Sequence, residues 1–194
     1  MLTSLPNILT LSRIVVLPVI VALLYWTGPW ASWIALAIFV VASVTDWLDG
    51  YIARLWNEVS PLGRFLDPIA DKLLVAAVIV MLVASERVTG LVVLPALVIL
   101  CREILVSGLR EYLAEIRVPM PVSRLAKWKT ALQMVALGIL IVGEAGPPEI
   151  PLRLIGEVGL WIAAGLTMIT GYDYLVRGLQ HMRGDAAKPA EKKA

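Results

Sequence analysis

Apolar residues run through this chain in six long blocks, near residues 7–27, 31–54, 61–84, 88–112, 127–144 and 152–177. Each block is close to the roughly 20 residues that a helix needs to cross a bilayer core. The pattern predicts an all-α, polytopic membrane protein with six transmembrane helices. A soluble helical bundle of this size would show amphipathic faces rich in Lys and Glu, and those are missing. The first block is too long for the core of a signal peptide and is expected to stay in place as a span. Residues 1–183 are expected to form one domain. From Gly184, with Lys188, Lys192 and Lys193, the chain turns polar, and 184–194 is expected to be a disordered cytoplasmic tail.

Composition agrees with this pattern: the 194 residues are 59% hydrophobic and the mean hydropathy is +0.83, too high for an ordinary soluble domain. The distribution of charge gives the orientation. With both termini in the cytoplasm, the outer loops near 28–30, 85–87 and 145–153 hold only Arg87 and Arg153, and the rest of the seventeen Lys and Arg lie on or near the inner side. The expected topology is therefore N-in and C-in, in the cell's inner (plasma) membrane, with a basic inner rim that attracts anionic headgroups and phosphorylated substrates. Trp30 and Trp33 sit where an outer interface anchor belongs. Cys101 lies inside an apolar block and indicates no disulfide. No P-loop, nucleophilic triad or nucleic-acid module is visible.

The chemistry is concentrated between Asp46 and Asp71. Asp46, Asp49, Gly50 and Ala53 fall within an arc of roughly 100° on a helix, and Gly63, Asp67 and Asp71 follow at four-residue steps on one face of another. Between them Asn57, Ser60 and Pro61 mark a turn and a helix start. A helical hairpin brings the four aspartates together, and such a set needs positive charge. An all-oxygen donor set suits hard divalent cations, Mg²⁺ first and then Mn²⁺ or Ca²⁺. With one His (His181, towards the end) and one Cys, zinc and redox metals are excluded. Asp71 falls about 15 Å into its helix, a depth at which charges line a polar cavity rather than a surface. The bland reading is that these acids are solvated helix ends paired with Arg54, Arg64 and Lys72; interleaved small residues on the same face argue against it.

The run Asp-x2-Asp-Gly-x2-Ala-Arg-x8-Gly-x3-Asp-x3-Asp resembles the signature of the CDP-alcohol phosphatidyltransferases, and every specified position matches with the right gaps. The resemblance implies a homodimeric six-span enzyme that transfers a substituted phosphoryl group from a CDP-alcohol to a hydroxyl acceptor and releases CMP. It implies that Asp46, Asp49, Asp67 and Asp71 hold two divalent ions (Mg²⁺ or Mn²⁺), that Asp71 also acts as general base, and that Gly50, Ala53, Arg54 and Gly63 contact the CDP moiety. A carboxylate beside metals keeps a low pKa, so such a base depends on the metal acidifying the hydroxyl as well.

Other polar positions have two readings each. Asn7, Thr10 and Arg13 form a stripe on the first helix, either a cap with a snorkelling arginine or a contact to nucleotide or headgroup. Arg102 lies at nearly the depth of Asp71; Glu103 is adjacent but points elsewhere, and shares a face with Arg110. These charges form either an internal ion-pair network or a phosphate site built on Arg102 and Arg110. Lys127 and Lys129 flank Trp128 and serve either as interface anchors or as charge for a phosphorylated substrate. Gly156, Gly159, Gly165 and Gly171 suit close helix packing, within the chain or across a dimer.

The flanking runs (Leu-Pro-Asn-Ile-Leu-Thr-Leu-Ser-Arg at the start, Arg-Glu-Ile-x5-Arg at 102–110 and Lys127-Trp-Lys-Thr-x2-Gln-Met) are similar to family members that join CDP-diacylglycerol to sn-glycerol 3-phosphate. That resemblance makes Arg102, Arg110, Lys127 and Lys129 candidates for the acceptor's phosphate. Other acceptors within the family are phosphatidylglycerol, giving cardiolipin, and inositol phosphate. Outside it, a divalent-cation transporter requires polar residues through to the outer side, whereas Val75 to Val83 is apolar. A non-catalytic scaffold would not need all four acids.

Overall fold

The computed structural model describes residues 5–26, 28–56, 61–116 and 124–186. Every regular element among them is helical: α1 (Leu5–Tyr25), α2 (Pro29–Trp56), α3 (Pro61–Ala84), α4 (Val93–Glu115), α5 (Arg124–Val142) and α6 (Leu152–Ala186). Short 3₁₀ turns at Gly90–Val92 and Gly143–Ala145 lead into α4 and out of α5. The helices coincide with the six apolar blocks. Pro29 and Pro61 open their helices at the position where a missing N–H costs nothing. The predicted turn residues Asn57 and Ser60, and the segment with Pro119 and Pro121, lie outside the described residues.

Among the described residues, four stretches are long and apolar enough to cross a membrane: Ile8–Tyr25, Gly90–Glu115, Leu125–Ala145 and Leu152–Val176. The apolar part of α2, Pro29–Thr45, is shorter. The acid-bearing motif takes up the end of α2 and the start of α3, where most side chains lie outside the described residues. A second difference is at the C-terminal end, where α6 continues to Ala186, past Gly184 and into what polarity predicts as tail. The residues from Arg177 to Arg183 include Leu, Gln, Met and Arg, good helix formers that carry the helix on after hydropathy drops. The remainder of the expected tail, 187–194, lies outside the described residues.

The helices pack in a ring, α1 to α2, α2 to α5, α5 to α6, α6 to α4, α4 to α3 and α3 back to α1. A core of Ile20, Leu24, Phe39, Leu74, Val78, Ile99, Leu137 and Leu140 fills its centre. Val75, Val78, Ile79 and Leu82 belong to this core, so the outer half of α3 is closed by packing and offers no polar route through the bundle.

In lipid, helices associate through close packing rather than hydrophobic expulsion, so small residues decide where they meet. The α6 glycines do this within the chain. A Cβ on Gly156 would lie 2.6 Å from Leu140 Cγ, and one on Gly159 would lie 3.0 Å from Ala136 Cβ, which runs α6 antiparallel along α5. Gly171 and Gly178 likewise make room for Arg102 and Leu109, running α6 parallel to α4, whereas Gly165 faces open space. Gly156→Ala is therefore expected to lower stability by about 1–3 kcal/mol through overpacking against fully buried Leu140; thermal melting in detergent checks this.

The end of the bundle formed by the α1–α2, α3–α4 and α5–α6 connections is tied by side chains. Arg153 donates to Glu157 (3.1 Å), Glu144 (3.0 Å) and the Thr89 hydroxyl (3.0 Å), and Trp33 Nε1 donates to the Ala145 carbonyl at 3.2 Å. Arg87 donates to the Ile141 carbonyl. Burial pulls its pKa below the ordinary value, and the Glu144 carboxylate offsets this in part, but an arginine remains charged at any physiological pH. Trp26 and Trp30 stand exposed here, as interface anchors do.

Candidate active site

The four aspartates sit where the sequence expects them along the backbone. Asp46 and Asp49, with Gly50, Ala53 and Arg54, are on the last part of α2, and Gly63, Asp67 and Asp71 are on the first part of α3. The side chains of Asn7, Asp46, Asp49, Arg54 and Asp67, and the surroundings of Gly50 and Ala53, lie outside the described set. Gly63 is buried and Asp71 is half-buried. Pro68 follows Asp67 inside α3; with no N–H it leaves the backbone carbonyl at position 64 without its helical partner, one turn before the Asp67–Asp71 step. The spacing of the acids conceals this, although the proline itself is plain in the sequence.

Helix α1 packs against both acid-bearing helices. Its Thr10 and Arg13 are buried, at 1% and 2% exposure, and Arg13 Nη2 donates to Thr10 Oγ1 at 3.5 Å. Arg13 is therefore not a snorkelling side chain. It lines a cavity of about 300 Å³ between α1 and α2, together with Ser12, Val41, Ala42 and Thr45, the last of these next to Asp46. On the other flank of α2 a second, more apolar groove of about 330 Å³ is lined by Trp33, Phe39, Val40, Val44, Val135 and Gly138.

The basic residues divide by geometry. Lys129 is 3% exposed while Lys127 and Trp128 face outward, because consecutive residues on a helix diverge by about 100°. Lys129 Nζ donates to Glu103 Oε1, and Asp71 is near enough for its charge to act on the same ammonium. Arg102 meets Glu103 as well, at 3.5 Å. This corrects the expectation that neighbours on a helix point apart: both side chains are long enough to curl back to one another. Arg102 Nη2 also donates to Thr170 Oγ1 at 3.1 Å, and its guanidinium lies 5.8 Å from the Tyr174 ring centroid, a cation–π distance. The absent side chain of Gly171 lets the Arg102 stem cross α6, since a Cβ there would lie 3.1 Å from Arg102 Cγ.

Arg102, Glu103 and Arg110 line a cavity of about 300 Å³ between α3 and α4, opposite Pro68 and Lys72. Lys72, Glu103, Thr170 and Tyr174 are thus additions to the residues singled out by motif. Only hydroxyl and aromatic positions on the inner half of a span could have pointed to the last two. A larger cavity of about 600 Å³ lies at the other end, among Ser32, Arg87, Glu144 and Arg153. It is remote from the acids, and its arginines already bond to Ile141, Glu144, Glu157 and Thr89.

Comparison with known proteins bears on this arrangement. The family model for CDP-alcohol phosphatidyltransferase matches residues 3–169. A Rickettsia typhi protein named CDP-diacylglycerol–glycerol-3-phosphate 3-phosphatidyltransferase is 54% identical over 171 residues, covering 88% of this chain and 94% of its own length. A Pseudomonas fluorescens protein of the same name is 42% identical, with 95% of each chain covered. A CMP-forming cardiolipin synthase of Oryza sativa subsp. japonica is 40% identical over 86% of this chain and 55% of its own. A match over most of the chain, around a motif set on two adjoining helices and a basic cavity beside it, leaves one assignment: the chain belongs to the CDP-alcohol phosphatidyltransferase family.

Proposed function

We propose that this enzyme transfers the phosphatidyl group of CDP-diacylglycerol to sn-glycerol 3-phosphate, giving phosphatidylglycerophosphate and CMP. The observation that carries the acceptor is the basic cavity. Arg102, Arg110 and Lys72 line it together with Glu103 and Glu111, and Lys129, from another helix, meets the same Glu103 carboxylate as Arg102. A phosphomonoester is a dianion that such a cluster recognises. Asp71 acts on Lys129 electrostatically, which sets the cluster next to the reacting end of the acid motif.

In this reading the acceptor's phosphate rests on Arg102, Lys129 and Arg110, with exposed Lys127 contributing long-range attraction only. Its free hydroxyl loses its proton to Asp71 and attacks the phosphorus that bears diacylglycerol. The bond from that phosphorus to the bridging oxygen breaks, and CMP leaves. Asp46, Asp49, Asp67 and Asp71 form an all-oxygen set fitted to two Mg²⁺ or Mn²⁺ ions. Such ions, when bound, neutralise the diphosphate and the departing CMP. Gly50, Ala53 and Gly63 allow the nucleotide close to the backbone, Arg54 pairs with a phosphate, and Asn7 and Thr10 border the CDP site. The grooves on either flank of α2 end near Val44 and Thr45, one step from Asp46, which suits a donor with lipid chains.

Six spans, N-in and C-in, place this site on the cytoplasmic side of the inner membrane, in a homodimer. The cardiolipin synthase relative favours phosphatidylglycerol as a second acceptor, but that lipid has no phosphomonoester to match the buried cations. Labelled glycerol 3-phosphate incubated with CDP-diacylglycerol and Mg²⁺ should pass into a chloroform-soluble product, and EDTA should stop the transfer. Label that stays in the aqueous phase while CMP appears would sink the acceptor assignment.

A further inference from the structure

Arg102 lies near the middle of α4 and Lys129 in the first half of α5, and their side chains are 10% and 4% exposed. Two cations at that depth require an anion nearby. In this structure Glu103 meets both of them through the same oxygen, Oε1. We propose that Glu103 is a placeholder anion: its carboxylate holds the counter-charge position of Arg102 and Lys129 until the phosphomonoester of the acceptor displaces it. The proposal rests on the reading of this cluster as the acceptor's phosphate site and makes Glu103 a positioning residue for it.

Three observations carry it. Glu103 is part of the wall of the α3–α4 cavity, with Arg102, Arg110 and Lys72, so an anion entering that cavity meets the carboxylate and Arg102 together. The hydrogen-bonding capacity of the cluster is also unfilled among the described residues. Arg102 Nε is buried without a partner, and so is Thr167 Oγ1, one turn along α6 from Thr170. Buried polar groups are normally paired, and a phosphate has several oxygens to offer where a carboxylate has two. Finally, Arg102 is fixed independently of Glu103: it is held by Thr170 and the Tyr174 ring and is seated over Gly171. Removal of the carboxylate therefore leaves a shaped cationic site rather than a collapsed one. A purely structural ion pair would not compete with substrate; a placeholder must.

Glu103→Gln separates the two. The KM for glycerol 3-phosphate is expected to fall about tenfold, within the usual range for coupled binding, with a smaller change in kcat and in the KM for CDP-diacylglycerol. In phosphate-free buffer the variant should melt below the parent protein, and inorganic phosphate should raise its melting temperature more than the parent's. Glu103→Asp, which keeps the charge on a shorter stem, should fall between the two. A rise in acceptor KM in Glu103→Gln, equal stabilisation of both proteins by phosphate, or failure to recover the variant folded even in phosphate would each overturn the proposal. The melting arm uses neither donor nor acceptor. If glycerol 3-phosphate proves not to be a substrate while phosphate still favours the variant, the acceptor assignment fails and the placeholder stands.

Discussion

Asp71→Asn is expected to reduce CMP formation by at least about a thousand-fold, the upper range for loss of a positioned base, while the protein still folds. Asparagine matches aspartate in shape, so α3 keeps its packing: Ala70 and Leu74, on either side of Asp71, are buried at 1% and 2% exposure and do not depend on its charge. Under the proposed mechanism the variant loses the proton acceptor for the attacking hydroxyl and one oxygen donor of the metal set. The Lys129 ammonium also loses an anion whose charge acts on it, yet it keeps Glu103, which limits the structural cost. CMP release and thermal melting, measured on one preparation, check both halves. An active variant would transfer the role of base to another group and revive the reading of the acids as a scaffold.

Arg102→Ala should raise the KM for glycerol 3-phosphate by roughly 10- to 100-fold, the value of a hydrogen bond to a charged group, with little change in the KM for CDP-diacylglycerol. The side chain joins α4 to α6 through Thr170 Oγ1 and the Tyr174 ring, so the variant should also melt at a lower temperature. Glu103 retains Lys129 and is not left as a lone buried charge, the costly outcome for a broken pair. Arg102→Lys should restore the charge but not the planar fork, and so recover stability better than acceptor affinity. Acceptor KM unchanged in both variants would remove Arg102 from the phosphate site.

The parts of this molecule that were legible in the sequence follow from local rules. Block lengths gave the helices, and the proline at 61 gave one of their starts. The acid spacing put Asp46 and Asp49 on one helix and Asp67 and Asp71 on the next. Side-chain reach and inter-helix register were not legible. Glu103 and Arg102 were expected to diverge because backbone geometry separates neighbours, and long flexible stems overcame that. Arg13 resembles a snorkelling residue by position, yet it is buried because α1 is packed between α2 and α3. Thr170 and Tyr174 matter only once α6 runs parallel to α4 with Gly171 beneath Arg102, a tertiary fact that no local pattern encodes.

The most direct test of the account is CMP release by the purified protein with CDP-diacylglycerol and Mg²⁺, with each acceptor offered separately. Release with glycerol 3-phosphate, and not with inositol phosphate or phosphatidylglycerol, is the predicted result. Release with phosphatidylglycerol alone would contradict the role given to Arg102, Arg110 and Lys129, release with inositol phosphate alone would keep that role and overturn the acceptor, and no release with any acceptor from folded protein would contradict the phosphatidyl transfer itself.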